Sequence, residues 1–363
     1  NKPRYDGSFT LQVLQQVQSA DTGAKPLMVA KGSFEADNER LRIPDYRMEI
    51  GTNADPYVVT GEATVDTGPK PEFLILADGQ QVDMDRLASD AGGSEAPAEG
   101  EAKIAIPIAD RIALLRDLIS QLPPPPLPGR VTIALPAVVA GDTTMRDVAI
   151  EARPDGDGWQ IDKLTVNLPG RTTVEASGRL ALGEDTGFTG SLVVASSQPS
   201  GLSNWLSGDV DPVIRRLPAA GFSANVSLSS RLQRFEGLEV AIGAAILKGR
   251  LERQAPQSGP PSLSVELTGD TVDVDAIRAL VLLAGGKKQG SESELFASHN
   301  ISGRIKAGKL NVDDFSVAGL DTAFVWKDGE LVLDRLAFAD LGGAAGCFNV
   351  PYTHLTTHDI SSR

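Results

Sequence analysis

Two stretches of the chain, PEFLILADGQQVDMD at 71–85 and PSLSVELTGDTVDVD at 261–275, align without a gap. Each reads proline, apolar residues at alternate positions, glycine, and then V-D-x-D opening an apolar segment. Each also follows a strand-like run built around a glycine, VVTGEATV at 58–65 and AILKGRLE at 245–252. A unit of strand, strand and capped helix that recurs in this way constrains the chain to a repeat architecture. In such folds function lies in an extended surface rather than in one catalytic pocket.

The 363 residues suffice for two or three domains or one long array, each able to bury a core. Hydrophobic residues make up 41%, but aromatics only 5%, with 37 glycines and 23 prolines, a profile of many short strands joined by turns. The formal charge of −14 excludes the basic face that nucleic-acid binding needs. Cys347 is the single cysteine, so no internal disulfide framework forms. No apolar run is long enough to cross a bilayer as a helix, and the chain begins in mid-pattern at Asn1. It therefore reads as a fragment whose anchor or signal has been removed.

Along the chain we expect a β block over 1–87, with strands near 9–14, 27–36, 40–50, 57–66 and 72–77. An acidic low-complexity linker follows at 88–103, then an amphipathic helix at 104–122 that the tetraproline at 123–126 stops. That helix carries balanced charge, so it reads as a lid or end cap rather than a membrane-surface helix. A second β block with terminal helices covers 128–217. A third runs over 218–284, with a helix from 273 onward, and a polar loop occupies 285–298. A C-terminal β block spans 299–346, and an aberrant tail 347–363. The expected fold class is mainly β: repeated antiparallel strand blocks in an elongated twisted sheet or open groove, with short capping helices.

The strands alternate apolar and polar residues with period two, so each has one apolar and one wetted face. Val131 and Ile133 share a face, as do Leu164 with Val166, Leu180 with Leu182, Val226 with Leu228, and Leu263 with Val265. These ten residues are the candidate ligand-facing set. Something must cover them: a second sheet, helices or a ligand.

Signals for catalysis are poor, and the chain reads as non-enzymatic. His299 is the only histidine outside the tail and reads as an exposed residue of a polar turn, which leaves no base for a Ser-His-Asp or Cys-His site. Cys347, His354 and His358 lack tight ligand spacing, so no metal and no cofactor is expected. The Asp83/Asp85 and Asp273/Asp275 pairs lack the further ligands of a calcium loop. Asp83 and Asp273 read instead as helix caps, accepting orphan N–H groups and complementing the helix dipole.

GSFEADNERLRIPDYRMEIG, the G-x-[AL] strand, the P-x-[FL]-x-[IV] strand, the V-D-x-D-x-[LI] helix start and the closing DGELVLDRLAFADLGGA together resemble the AsmA family of bacterial envelope proteins. The resemblance covers most of residues 27–343. The chain departs from the family in having no N-terminal membrane helix and in its last residues.

The resemblance implies a periplasmic β-groove anchored in the inner membrane by a helix absent from this chain. It implies a lipid-binding or lipid-transfer role in outer-membrane lipid and protein assembly, with phospholipid or another acyl lipid as partner and envelope assembly proteins nearby. The alternative expectation is a structural scaffold for envelope proteins, with a closed β core and no lipid cargo.

Overall fold

Period-two alternation broken by glycine- and aspartate-rich turns makes strands of nearly all the chain that the structure describes. That structure is a computed structural model. It describes residues 3–14, 26–50, 57–79, 82–83, 127–140, 143–183, 186–207, 210–278, 299–312, 315–341, 344–348 and 354–356. The expected linker, the amphipathic helix, the polar loop and much of the tail lie outside these residues. The fold is mainly β and open, with short helices, and it divides into two compact units. One comprises Asn1–Pro169 with Val174–Gly183, the other Gly170–Thr173 with Glu184–Arg363.

In the first unit, β1 (Tyr5–Leu14), β2 (Pro26–Ala36), β3 (Arg40–Ile50), β4 (Tyr57–Asp66) and β5 (Glu72–Gly79) pair in order, each antiparallel to the last. The next pairing is parallel. β5 and the short β6 (Val82–Asp83) both lie along β7 (Gly129–Ala140), with Phe73 opposite Gly129 and Val82 opposite Val138. Antiparallel order resumes with β8 (Thr143–Asp155) and β9 (Gly158–Leu168), and β10 (Thr172–Ala181) pairs with β9.

The second unit repeats this pattern. β11 (Gly187–Ser196), β12 (Ala220–Ser229), β13 (Leu232–Ile242), β14 (Ala245–Gln254) and β15 (Ser262–Asp273) are antiparallel in sequence. β15 then pairs parallel with β16 (Asn300–Val312), Leu263 opposite Ile301 and Val272 opposite Leu310. β17 (Phe315–Lys327) and β18 (Glu330–Leu341) continue antiparallel. The outer edge of β18 takes up β19 (Ala344–Phe348) and β20 (His354–Thr356), so part of the expected aberrant tail is paired backbone.

Some irregularities recur along with the strands. β3 shifts register between Ile43 and Tyr46, and β13 between Phe235 and Leu238, at the same step of strands equal in length. β8 and β17 each carry a residue of positive φ at the same position, Asp147 (52°) and Gly319 (64°). Both shift register four residues on, at Glu151/Ala152 and Ala323/Phe324, and β8 alone shifts earlier too, between Arg146 and Ala149. Bulges sharpen local twist and bend the strand that holds them, so shared positions mean a shared local coiling of those strands. The hairpin from β17 to β18 turns on Asp328 (φ 53°) and Gly329 (φ 80°), the two positive angles that a type I′ turn requires.

The aligned V-D-x-D motif now has a place. It ends the strand that precedes the parallel pairing and opens the crossover, residues 84–128 in one unit and 274–299 in the other. Parallel neighbours need such a long return, whereas hairpins do not. Residues 274–278 are helical, and Asp273 Oδ1 accepts the amide N–H of Ala276 at 3.0 Å. Asp83 ends β6, and the residues after it lie outside those described.

Two short helices in the second unit, α1 (Pro199–Ser207) and α2 (Pro212–Arg216), fall where the sequence places helices before β12. Asp211 caps α2, its Oδ1 accepting from the Val213 amide at 2.9 Å, with Pro212 at the first helical position.

Candidate functional site

Pairing registers set apolar residues side by side across many strands. In the second unit one row runs Gly190, Val226, Phe235, Leu251, Val265, Gly303, Phe324 and Leu333, each opposite the next. A Cβ on Gly303 would collide with the Phe324 ring, so the ring occupies the space above the glycine. In the first unit the matching row runs Ile43, Ala63, Ile75, Val131, Ala152 and Ile161. The row beside it runs Tyr46, Gly61, Ala77, Ile133, Ile150 and Leu164.

The ten candidate residues fall on these faces as follows. Val131, Ile133 and Leu164 lie on the apolar face of the first unit, and Val166 is two residues on from Leu164 along β9. Leu180 is near the end of β10, and Leu182 lies just past it. Val226, Leu228, Leu263 and Val265 share the apolar face of the second unit. All are half-buried except Val226, which is 2% exposed.

The two ends of the second unit's apolar face differ. At one end Ile214 and Leu217, from α2 and its cap, pack on Ala220, Ile242, Leu247, Val272, Ala307 and Leu320, joined by Ala276 and Ile277 of the crossover helix. Toward the other end Ala224, Val226 and Leu238 pack with Phe188, Leu192, Phe222, Leu228, Phe235, Leu251 and Leu267. Every member of that second cluster belongs to β11–β15. Phe222 and Phe235 meet edge to face, ring centroids 6.1 Å apart at 76°. Among the described residues this part of the face packs on its own strands and not on a second layer.

The opposite face is ionic. Arg234 pairs with Glu252 at 2.7 Å, Arg250 with Glu266 at 2.6 Å, and Lys248 with Glu239 at 2.9 Å. Asp321 gathers Arg304, Lys306 and Arg335 within 4 Å. The Arg234 and Arg250 hydrogen bonds hold the Glu252 and Glu266 carboxyls below the usual range. Charges of alternating sign across neighbouring strands support the sheet and keep this face in water.

A charged cluster stands on the apolar side. At the hairpin end of the second unit a row runs Phe188, Leu228, Gln233, Arg253, Leu263, Ile301 and Trp326. Arg253 Nη1 donates to Gln233 Oε1 at 2.8 Å, and its Nε donates to His299 Nε2 at 3.2 Å. His299, expected in an exposed turn, is instead half-buried against this arginine. The sequence reading missed the cluster because Gln233 and Arg253 are single breaks in alternating strands and His299 lies just before β16. Aligning the two repeats strand by strand would have shown it: the equivalent positions in the first unit are Leu41, Val65 and Leu127.

Among the described residues no group of three His, Cys, Asp or Glu side chains could hold a metal ion, and no helix is long and apolar enough to cross a membrane. No protein-family model and no curated protein matches the chain. Among solved structures it is similar to the "Crystal structure of Sex pheromone staph-cAM373 precursor" over 86% of this chain and 81% of that one. The identity is 7% and the TM-score 0.11, a likeness too slight to carry any argument.

Proposed function

We propose that the apolar sheet faces bind acyl chains and that the protein is a non-enzymatic lipid-binding or lipid-transfer module. The observation that supports this is the unbroken row from Val226 to Leu333, flanked by a cluster whose described members all come from one sheet. Such a surface in water is costly, and a hydrocarbon chain laid along it removes that cost. Each methylene taken from water contributes about 0.8 kcal/mol, so about ten methylenes supply roughly 8 kcal/mol without any chemical step. The resemblance to the AsmA family supports placing this activity in the periplasm, with inner-membrane anchorage and a part in outer-membrane lipid and protein assembly.

The test is native mass spectrometry and lipid extraction of the purified chain. Co-purifying acyl lipid is the expected result. No lipid, together with no binding of a fluorescent fatty-acid probe, overturns the reading. A second reading, a scaffold with a closed β core, draws on the end covered by α2. It predicts a dry face that excludes every acyl probe.

A further inference from the structure

We infer that the ligand of the second unit's apolar face is an acyl chain carrying an anionic head group, seated with its anion on Arg253. This rests on the acyl-binding reading above and adds the head-group class and its anchor.

Three observations carry it. First, Arg253 stands in the last apolar row before the hairpin loops, between Gln233 and Leu263, with Leu228 beyond Gln233 in the same row. A chain lying along the face therefore meets a cation where its head would emerge.

Second, among the described residues no carboxylate pairs with Arg253. The other cations of β13, β14, β16 and β18 that form ion pairs, Arg234, Lys248, Arg250, Arg304, Lys306 and Arg335, face carboxylates on the opposite side of the sheet. The partners of Arg253 are the neutral acceptors Gln233 and His299. They use Nε and one proton of Nη1, which fixes the guanidinium plane and leaves Nη2 for a ligand oxygen. A half-buried guanidinium without a counter-ion is unfavourable, and an anion delivered by the ligand relieves it.

Third, the feature is particular to one unit. The same backbone positions in the first unit hold Leu41, Val65 and Leu127, so the fold itself does not require a polar group there.

The shared ligand chemistry is a carboxylate or phosphate on a long hydrocarbon chain. The experiment titrates cis-parinaric acid and its neutral methyl ester into the full chain, wild type and with Arg253→Met or Arg253→Lys. Wild type is expected to prefer the acid by about tenfold or more, Arg253→Met to lose that preference by weakening the acid alone, and Arg253→Lys to keep most of it. Displacement by lysophosphatidic acid against displacement by oleic acid separates a phosphate from a carboxylate head.

Equal wild-type affinity for acid and ester overturns the inference, and this comparison needs no variant to fold. So does an Arg253→Met protein, shown folded by its thermal melt, that weakens both probes or neither. Binding of neither probe to wild type overturns the acyl-binding reading itself.

Discussion

The two units use one backbone and dress it differently. The order of strands, the register shifts of β3 and β13, the parallel crossover and the glycines at close approach coincide between them, while the side chains on both faces diverge. Gly61 and Gly249 make the point about what must be kept. Each pairs with the equivalent residue of the next strand, Ala77 and Leu267, and a Cβ at either would run into a neighbouring backbone carbonyl, that of Leu76 or of Glu266. Leu76 and Glu266 are themselves equivalent, yet one is apolar and the other anchors an ion pair. Sterics between backbones are common to both copies. Charge and apolarity are free to specialise, as at Val65 against Arg253. Even the loops vary, the hairpin from Asp66 to Glu72 being shorter than that from Gln254 to Ser262.

The largest effect we expect comes from breaking what the units share. Gly61→Val and Gly249→Val should each destabilise by about 3 kcal/mol or more, since a backbone carbonyl cannot move aside as a side chain can. Urea unfolding followed by peptide-resolved hydrogen exchange checks this. If either substitution leaves its own unit as protected as wild type, the common template is wrong at that strand.

A smaller effect should come from charging equivalent points of the two apolar faces. Val265→Asp in the second unit and Ile75→Asp in the first place a carboxylate in matching rows. We expect Val265→Asp to weaken an acyl probe at least tenfold, because the desolvated charge opposes the hydrocarbon. Comparing it with Ile75→Asp shows whether one face or both bind ligand. Unchanged binding in both variants would mean that the ligand uses another surface.

The smallest differences concern pH. In both units surface glutamates, each partly covered, are held low by arginine hydrogen bonds, Glu49 by Arg47 and Glu252 and Glu266 by Arg234 and Arg250. Their contribution is present above the ordinary carboxylate value and is lost as pH falls through the depressed one. It should be slight and fade with salt.

Tyr46 has no counterpart, since Leu238 takes its place. Burial first, then the charge of Asp78, pushes its phenol up, and its hydroxyl donates to the Leu76 carbonyl at 2.9 Å. That stabilisation is complete below the ordinary phenol value of about 10 and is lost as pH rises toward the raised one. Thermal melts should therefore show an alkaline decline that Tyr46→Phe reduces, with a cost of about 1 kcal/mol at neutral pH. An unaltered alkaline limb in that variant would remove Tyr46 from the comparison.

Much of this was legible in the chain. Alternation placed strands at 40–50 and 57–66 with the bounds the structure has, because period two needs no tertiary information. The aspartate of the second V-D-x-D motif meets the amide of Ala276 as a short-range rule about caps predicts. The parallel pairing of β5 with β7 and of β15 with β16 was not legible. It depends on where a long connection returns, and no local pattern encodes that. Nor was the Arg253 cluster, whose members are far apart in sequence and converge only through the registers of β13, β14 and β16.

By itself, then, the sequence determined a mainly β chain with a repeated strand unit and one apolar face per strand, since these follow from periodicity and turn chemistry. Only the tertiary structure decided which strands lie parallel, that the bulge of β3 recurs in β13, and that an arginine stands within an apolar row. The reason is that register, not composition, chooses each residue's neighbours across a sheet.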